Sequence, residues 1–161
     1  MTRVVLRLLM CGAVVAGCLS FASLSARADD TLTADGDQDG VQVVIKSLKR
    51  NEGDTVTLRF QVTNKSDSEF GRTCQVKDPN GNDDCGVLSG VYLIDQPNKK
   101  KYLVVRDSDG KCICANLENI GKGKSQNLWV TFAAPPAETQ KVTVVVPTFE
   151  PIDGVPITAG Q

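Results

Sequence analysis

Residues 53–64 read Gly53-Asp54-Thr55-Val56-Thr57-Leu58-Arg59-Phe60-Gln61-Val62-Thr63-Asn64. Val56, Leu58, Phe60 and Val62 alternate with Thr57, Arg59, Gln61 and Thr63, which is the period-two pattern of a strand with one buried and one wet face. The same period recurs at Val41, Val43 and Ile45, at Leu128, Val130 and Phe132, and at Val142, Val144 and Val146. Between them, Gly90 to Asp95, Lys101 to Arg106 and Lys111 to Asn116 form three short β-rich runs. They are separated by Asp95-Gln96-Pro97-Asn98 and by Asp107-Ser108-Asp109-Gly110. Asp-Gly between apolar runs signals a hairpin, because glycine accepts the positive φ such turns need.

The count is seven or eight strands with no amphipathic helical window of useful length; Leu117-Glu118-Asn119-Ile120 is expected to make at most one helical turn. Strands at this spacing predict an all-β, immunoglobulin-like two-sheet β-sandwich over residues 41–161. Pro135-Pro136 divides two strands, and Pro147 and Pro151 bracket a final extended segment.

Upstream, Arg3 and Arg7 precede an apolar stretch from Leu8 to Leu24, followed by Ser25-Ala26-Arg27-Ala28. A basic end, an apolar middle and an Ala-x-Ala terminus make residues 1–28 a secretory signal peptide, with cleavage after Ala28 and Ala26 in the preceding small-residue position. The stretch is thin for a spanning helix. Val15-Ala16-Gly17-Cys18 also fits a bacterial lipobox, which makes Cys18 the alternative processing site. Against it, the chain stays apolar through Leu24 where a lipidated protein usually turns polar.

Processing redistributes the charge. The whole chain, 161 residues long, carries 18 Lys+Arg against 19 Asp+Glu. Losing Arg3, Arg7 and Arg27 takes the mature chain to 15 basic groups against the same 19 acidic ones. Five of those acids (Asp29, Asp30, Asp35, Asp37, Asp39) lie in residues 29–40, a stretch with little apolar surface and expected to be a flexible acidic leader. The remainder is nearly neutral, which argues against a nucleic-acid partner. The sequence has no histidine, so the commonest general base and metal ligand are both missing.

The strand ending in Thr63-Asn64, the pair Gly90–Asp95 and Lys100–Asp107, Cys112-Ile113-Cys114, Leu128–Pro136, Val142–Pro147 and Val155-Pro156-Ile157 form an ordered set. Together they resemble the secreted immunoglobulin-like β-sandwich modules of actinobacteria, often found ahead of an OmpA-type peptidoglycan-binding domain. The resemblance implies export, an immunoglobulin-like sandwich, no catalytic residues and no cofactor. No OmpA-like domain follows Gln161 in this sequence, so wall binding by that route is not carried over. The loop from Phe70 to Gly86 looks like an elaboration.

Of six cysteines, Cys74, Cys85, Cys112 and Cys114 survive signal removal, and in an exported chain four cysteines read as two disulfides. Cys112 and Cys114 are two apart in an extended run and point to one face. The local pairing joins Cys74 to Cys85 and Cys112 to Cys114, and closing the first loop is worth roughly 3 kcal/mol in the chain-entropy view. The crossed pairings staple the Cys74–Cys85 loop to the Cys112–Cys114 segment and stay open. A redox-active Cys112–Cys114 pair is the functional alternative, although no helix N-terminus or histidine is present to lower a thiol pKa.

Other motifs read more plainly. Asp35-Gly36-Asp37-Gln38-Asp39-Gly40 matches the first half of a calcium loop, but position twelve is Lys46 and a strand follows. Ser108-Asp109-Gly110-Lys111 matches Ser-x-x-Lys, yet in a turn rather than at a helix start. Asn64-Lys65-Ser66 is a glycosylation sequon. Lys99, Lys100 and Lys101 form a basic run in a solvated hairpin. Trp129 falls out of phase with Leu128 and Val130, and an exposed tryptophan there is a better binding candidate than any charge. No pair of carboxylates is placed by sequence on facing strands. The expectation is therefore a non-catalytic secreted or envelope-associated module without metal or cofactor. Its partner is a protein or an envelope component, and it meets a membrane only if Cys18 is lipidated.

Overall fold

The alternating run around Phe60 forms β3, Thr55–Asn64. Its inner side chains Val56, Leu58, Phe60 and Val62 are all buried. β3 lies between β2, Val41–Asn51, and β6, Lys124–Ala133, antiparallel to both. Phe60 stands opposite Ile45 on one side and Leu128 on the other, so three inner rows of branched and aromatic side chains meet across the sheet. The computed structural model describes residues 32–71 and 88–160. Over these residues the chain is all-β, with one turn of 3-10 helix at Leu88–Gly90.

The other strands are β1 (Thr33–Asp35), β4 (Tyr92–Asp95), β5 (Lys100–Leu103), β7 (Lys141–Val145) and β8 (Ile152–Thr158). Neighbours run β5-β4-β7-β8-β2-β3-β6, with β1 added to β2. β2 with β8 is a parallel pair; the rest are antiparallel. This mixed sheet curls on itself: Val104, just beyond β5, bridges Phe132 of β6, and the two ends of the path meet. Leu93, Val144 and Val155 from one flank join Val43, Leu58, Phe60, Val130 and Phe132 from the other in one apolar core.

Two bulges shape the curl. Register in the β2–β3 ladder shifts between Ile45 and Ser47, leaving Lys46 as the extra, exposed residue. An inserted residue reverses which parity faces inward. Val41, Val43 and Ile45 are buried before it, Leu48 after it. The same bend lets β2 change partners, with Gln42 to Val44 pairing with β1 and Leu48 and Lys49 pairing with β8. A second shift, in the β7–β8 ladder, accommodates Asp153-Gly154, where Gly154 takes φ +70°.

Several expectations change. Residues 32–40, expected to belong to a flexible leader, are built into the fold: 33–35 form β1, Gly36 bridges Phe149, and the rest turn into β2. Ala34 is buried, Ile45 N–H bonds Leu32 O at 2.8 Å, and Asp37 N–H bonds Thr148 O at 2.7 Å. Low hydrophobicity was outweighed here because backbone pairing with β2 and with the β7–β8 connection satisfies the polar main chain. Leu117–Ile120 makes no helical turn; Ile120 bridges Phe70, and both are buried. Residues 111–116 are extended but touch their neighbours only through isolated bridges, Cys112 with Arg106 and Cys114 with Val130. Residues 1–31 and 72–87 lie outside the described residues, and with them Cys18, Ala26, Ala28, Cys74 and Cys85.

Candidate functional site

The outward positions of β3 alternate with its core positions and therefore form a row: Thr57, Arg59, Gln61 and Thr63. Register sets their neighbours. Arg59 stands between Ser47 of β2 and Trp129 of β6, and Thr57 between Lys49 and Thr131. Directly opposed side chains on one sheet face have Cβ atoms about 4.5–5.5 Å apart, so Arg59 and Trp129 are contact neighbours. Trp129 is 36% exposed and Arg59 is exposed.

Residues 113–115 extend this face beyond β6. Ala115 N–H bonds Trp129 O at 2.8 Å, Thr131 N–H bonds Ile113 O at 3.1 Å, and Ile113 N–H bonds Val105 O at 2.8 Å. Since Cys114 bridges the buried Val130, Ile113 takes the outer side with Trp129 and is 40% exposed.

On the other side of Arg59 lies an open cleft of about 810 Å³, lined by Lys49, Arg50, Asn51, Glu52, Thr57 and Arg59. Ala159 and Gly160, just past β8, also border it. A Cβ on Gly160 would sit 2.2 Å from the Arg50 carbonyl oxygen, so only glycine fits that approach. Arg50 is fixed: Nη1 donates to Pro135 O at 2.7 Å, and Nη2 to Pro136 O at 2.8 Å and Thr139 O at 3.3 Å. These carbonyls leave its charge unneutralised. Across the face, Asn51 Nδ2 donates to Thr57 Oγ1 at 2.8 Å and Gln61 Nε2 to Asn127 Oδ1 at 3.1 Å. Among the described residues the other ends of these amides have no hydrogen-bond partner and can meet a ligand.

A polar centre sits at the β4–β5 hairpin. Asp95 is fully buried. Its Oδ1 accepts the Asn98 N–H at 3.2 Å, and Oδ2 accepts Asn98 Nδ2 and the Thr139 hydroxyl, each at 2.8 Å. Burial pushes the carboxyl up, but these hydrogen bonds and the nearby Lys100 charge prevail and hold it below its ordinary value. Tyr102 is shifted up, by burial first and then by the Asp95 and Glu138 charges. These contacts close the hairpin turn through Asn98 and tie it to the loop before β7 through Thr139, and the residue is closed to solvent.

Cys112 and Cys114 bring their sulfurs to bonding distance, with Cα atoms 5.4 Å apart. Both pack half-buried against the core, on one face as their spacing predicts. The lysine run is exposed but belongs to the β4–β5 hairpin. Lys99 occupies its turn with φ 52°, and Lys101 Nζ lies 3.5 Å from the Tyr92 ring centroid. β5 ends the strand path, and lysines on such an edge discourage pairing with other chains. Ser108 and Lys111 sit in a turn closed by Asp107, whose Oδ1 accepts Lys111 N–H at 2.9 Å. Among the described residues, no three His, Cys, Asp or Glu side chains are grouped to hold a metal ion. The acidic Asp35–Gly40 stretch forms the β1–β2 turn, with Gly36 N–H bonding Val41 O at 2.9 Å.

A scan of protein-family models finds none that matches the chain, and a search of curated proteins returns no match. The site therefore rests on its own geometry. Trp129 was legible as an outward residue from its parity. Arg59 and Lys49 were not, because the place of Arg59 beside Trp129 and of Lys49 beside Thr57 depends on cross-strand register. The buried Asp95 could have been suspected from Asp95-x-x-Asn98, the pattern of a side chain closing its own turn.

Proposed function

We propose that this chain is an exported, non-catalytic immunoglobulin-like module that recognises a component outside the cell. The strand path supports the sandwich. On this reading β5-β4-β7-β8 would be one layer and β2-β3-β6 the other, joined where β2 pairs in parallel with β8. The basic, apolar and Ala-x-Ala arrangement of residues 1–28 supports export, to the outside or the cell envelope, with lipidation at Cys18 as the other route.

The observation that carries recognition is Trp129, exposed on a sheet face and flanked by Arg59 rather than by core side chains. Trp and Arg together are the residues that most often dominate binding energy. The test expresses the full chain in an exporting host, determines the mature N-terminus by mass spectrometry, and passes the product over envelope extract. Asp29 at the N-terminus and a component retained by the native protein but lost with Trp129→Ala bear the proposal out. An unprocessed chain, or retention indifferent to Trp129, contradicts it.

A second reading, thiol–disulfide exchange, is supported by the nearness of Cys112 and Cys114, one residue apart on the same side with Cα atoms 5.4 Å from each other. Measuring the reduction potential of the pair separates the two. A value below about −300 mV marks a structural bridge, and one between about −120 and −270 mV marks an oxidoreductase.

A further inference from the structure

We infer that the outer face of β2, β3 and β6 binds an acidic polysaccharide, with a sugar ring stacked on Trp129 and its anionic groups held by Arg59 and Lys49. This deepens the recognition reading and rests on it. Three independent features converge. The first is the exposed indole, whose negative face attracts the polarised C–H bonds of a pyranose ring. The second is charge. The adjoining cleft of about 810 Å³ presents Lys49, Arg50 and Arg59 against one acid, Glu52. Among the described residues neither Lys49 nor Arg59 has a carboxylate partner, unlike Lys122, which pairs with Asp67 on another loop. An uncompensated cationic cleft attracts an anion, and guanidinium matches carboxylate or sulfate in two-point geometry.

The third feature is the rest of the surface. Thr57, Asn51, Gln61 and Asn127 present hydroxyl and amide groups between and beside the cations. Such groups exchange hydrogen bonds with sugar hydroxyls in both directions. An exposed strand face suits an extended chain, and the cleft beside Arg59 gives the anionic substituents somewhere to go. A single-stranded nucleic acid would ask for successive aromatic platforms, whereas this face offers one. An apolar protein partner would leave the cations unpaired, at considerable cost.

Trp129 is the sole tryptophan of the chain, so its fluorescence reports the site directly. The probe is oligogalacturonate, titrated into the exported protein at low salt, with dextran of equal length and single-stranded DNA as comparisons. The expected result is a saturable change in Trp129 emission with oligogalacturonate and none with dextran. Arg59→Gln, an exposed change that keeps Trp129 as reporter, weakens binding by at least about tenfold. Lys49→Gln weakens it less, and raising salt to about 0.5 M weakens it in the native protein. Trp129→Ala, followed by calorimetry, abolishes it.

The inference is overturned by no response to oligogalacturonate, by equal response to dextran, by tighter binding of DNA, or by affinity unchanged in Arg59→Gln. If oligogalacturonate fails while an envelope component is still retained through Trp129, recognition stands and the polysaccharide assignment falls. If both fail, the recognition reading falls with it.

Discussion

The Thr139 hydroxyl donates to Asp95 Oδ2 at 2.8 Å although 44 residues separate the two, and neither is exposed. The bond ties the β4–β5 hairpin to the loop before β7, the loop that Arg50 also holds from β2. Asp95 thus works as a fastening between strands of both flanks.

Its charge gives a pH signature. The Asp95 carboxyl is held below its ordinary value of 3.8 in the fold. Its stabilisation is therefore fully present above the unfolded pKa and fades as pH falls through the lower, folded one. A thermal melt series from pH 6 downward should show the midpoint dropping in strong acid, and Asp95→Asn should flatten that drop while lowering the plateau. Asp95→Ala, which leaves the Thr139 and Asn98 donors unpaired, should cost about 2 kcal/mol or more by urea denaturation.

Asn64 is fully buried at the end of β3. Nδ2 donates to Ser68 O and Ile120 O, both at 2.8 Å, while Oδ1 accepts Ser66 N–H at 2.9 Å and the Ser66 hydroxyl at 2.6 Å. No proton on that nitrogen is left over. The sequon should therefore be silent: folded protein secreted from a glycosylating host carries no glycan at Asn64, which intact-mass measurement checks. Asn64→Ala should destabilise by about 2–3 kcal/mol, since several groups lose their partner at once.

Lys46 has an exposed side chain, yet its backbone is indispensable. Lys46→Ala should shift stability by no more than about 0.5 kcal/mol. Deleting Lys46 should prevent folding, because every residue from Ser47 to Asn51 would turn to the opposite face. Comparing the two variants by circular dichroism and urea titration separates the side chain from the insertion.

For the cysteines, a non-reducing peptide map should place Cys112 and Cys114 in one bridged peptide; either residue joined to Cys74 or Cys85 would contradict it. The double change Cys112→Ser, Cys114→Ser should keep the β fold. So short a loop restricts the unfolded chain little, and the loss should stay below about 3 kcal/mol.

Of the eight strands among the described residues, seven were legible because alternation is a local property: Phe60 and Val130 announce their burial from their own neighbours. β1 was not, since Ala34 is its one apolar residue, between Thr33 and Asp35, and its order comes from backbone bonds to β2. Ile120 looked helical by composition but is extended because Phe70 captures it. The site was half legible. Trp129 declared its side, but Arg59 reaches it through the unbroken β3–β6 register and Lys49 reaches the same face through the Lys46 bulge, and neither register has a signature in the amino-acid string.

The parallel contact of Leu48 with Ile157 joins the beginning of the fold to nearly its last residues. A chain made or threaded from its N-terminus cannot form this pair until residues 152–158 have emerged, and contacts between such distant segments close slowly. The fold is thus sealed by its own tail. Until that segment has emerged β2 and β8 stay unpaired, and the β5-β4-β7-β8 flank is not joined to β2-β3-β6 through this ladder.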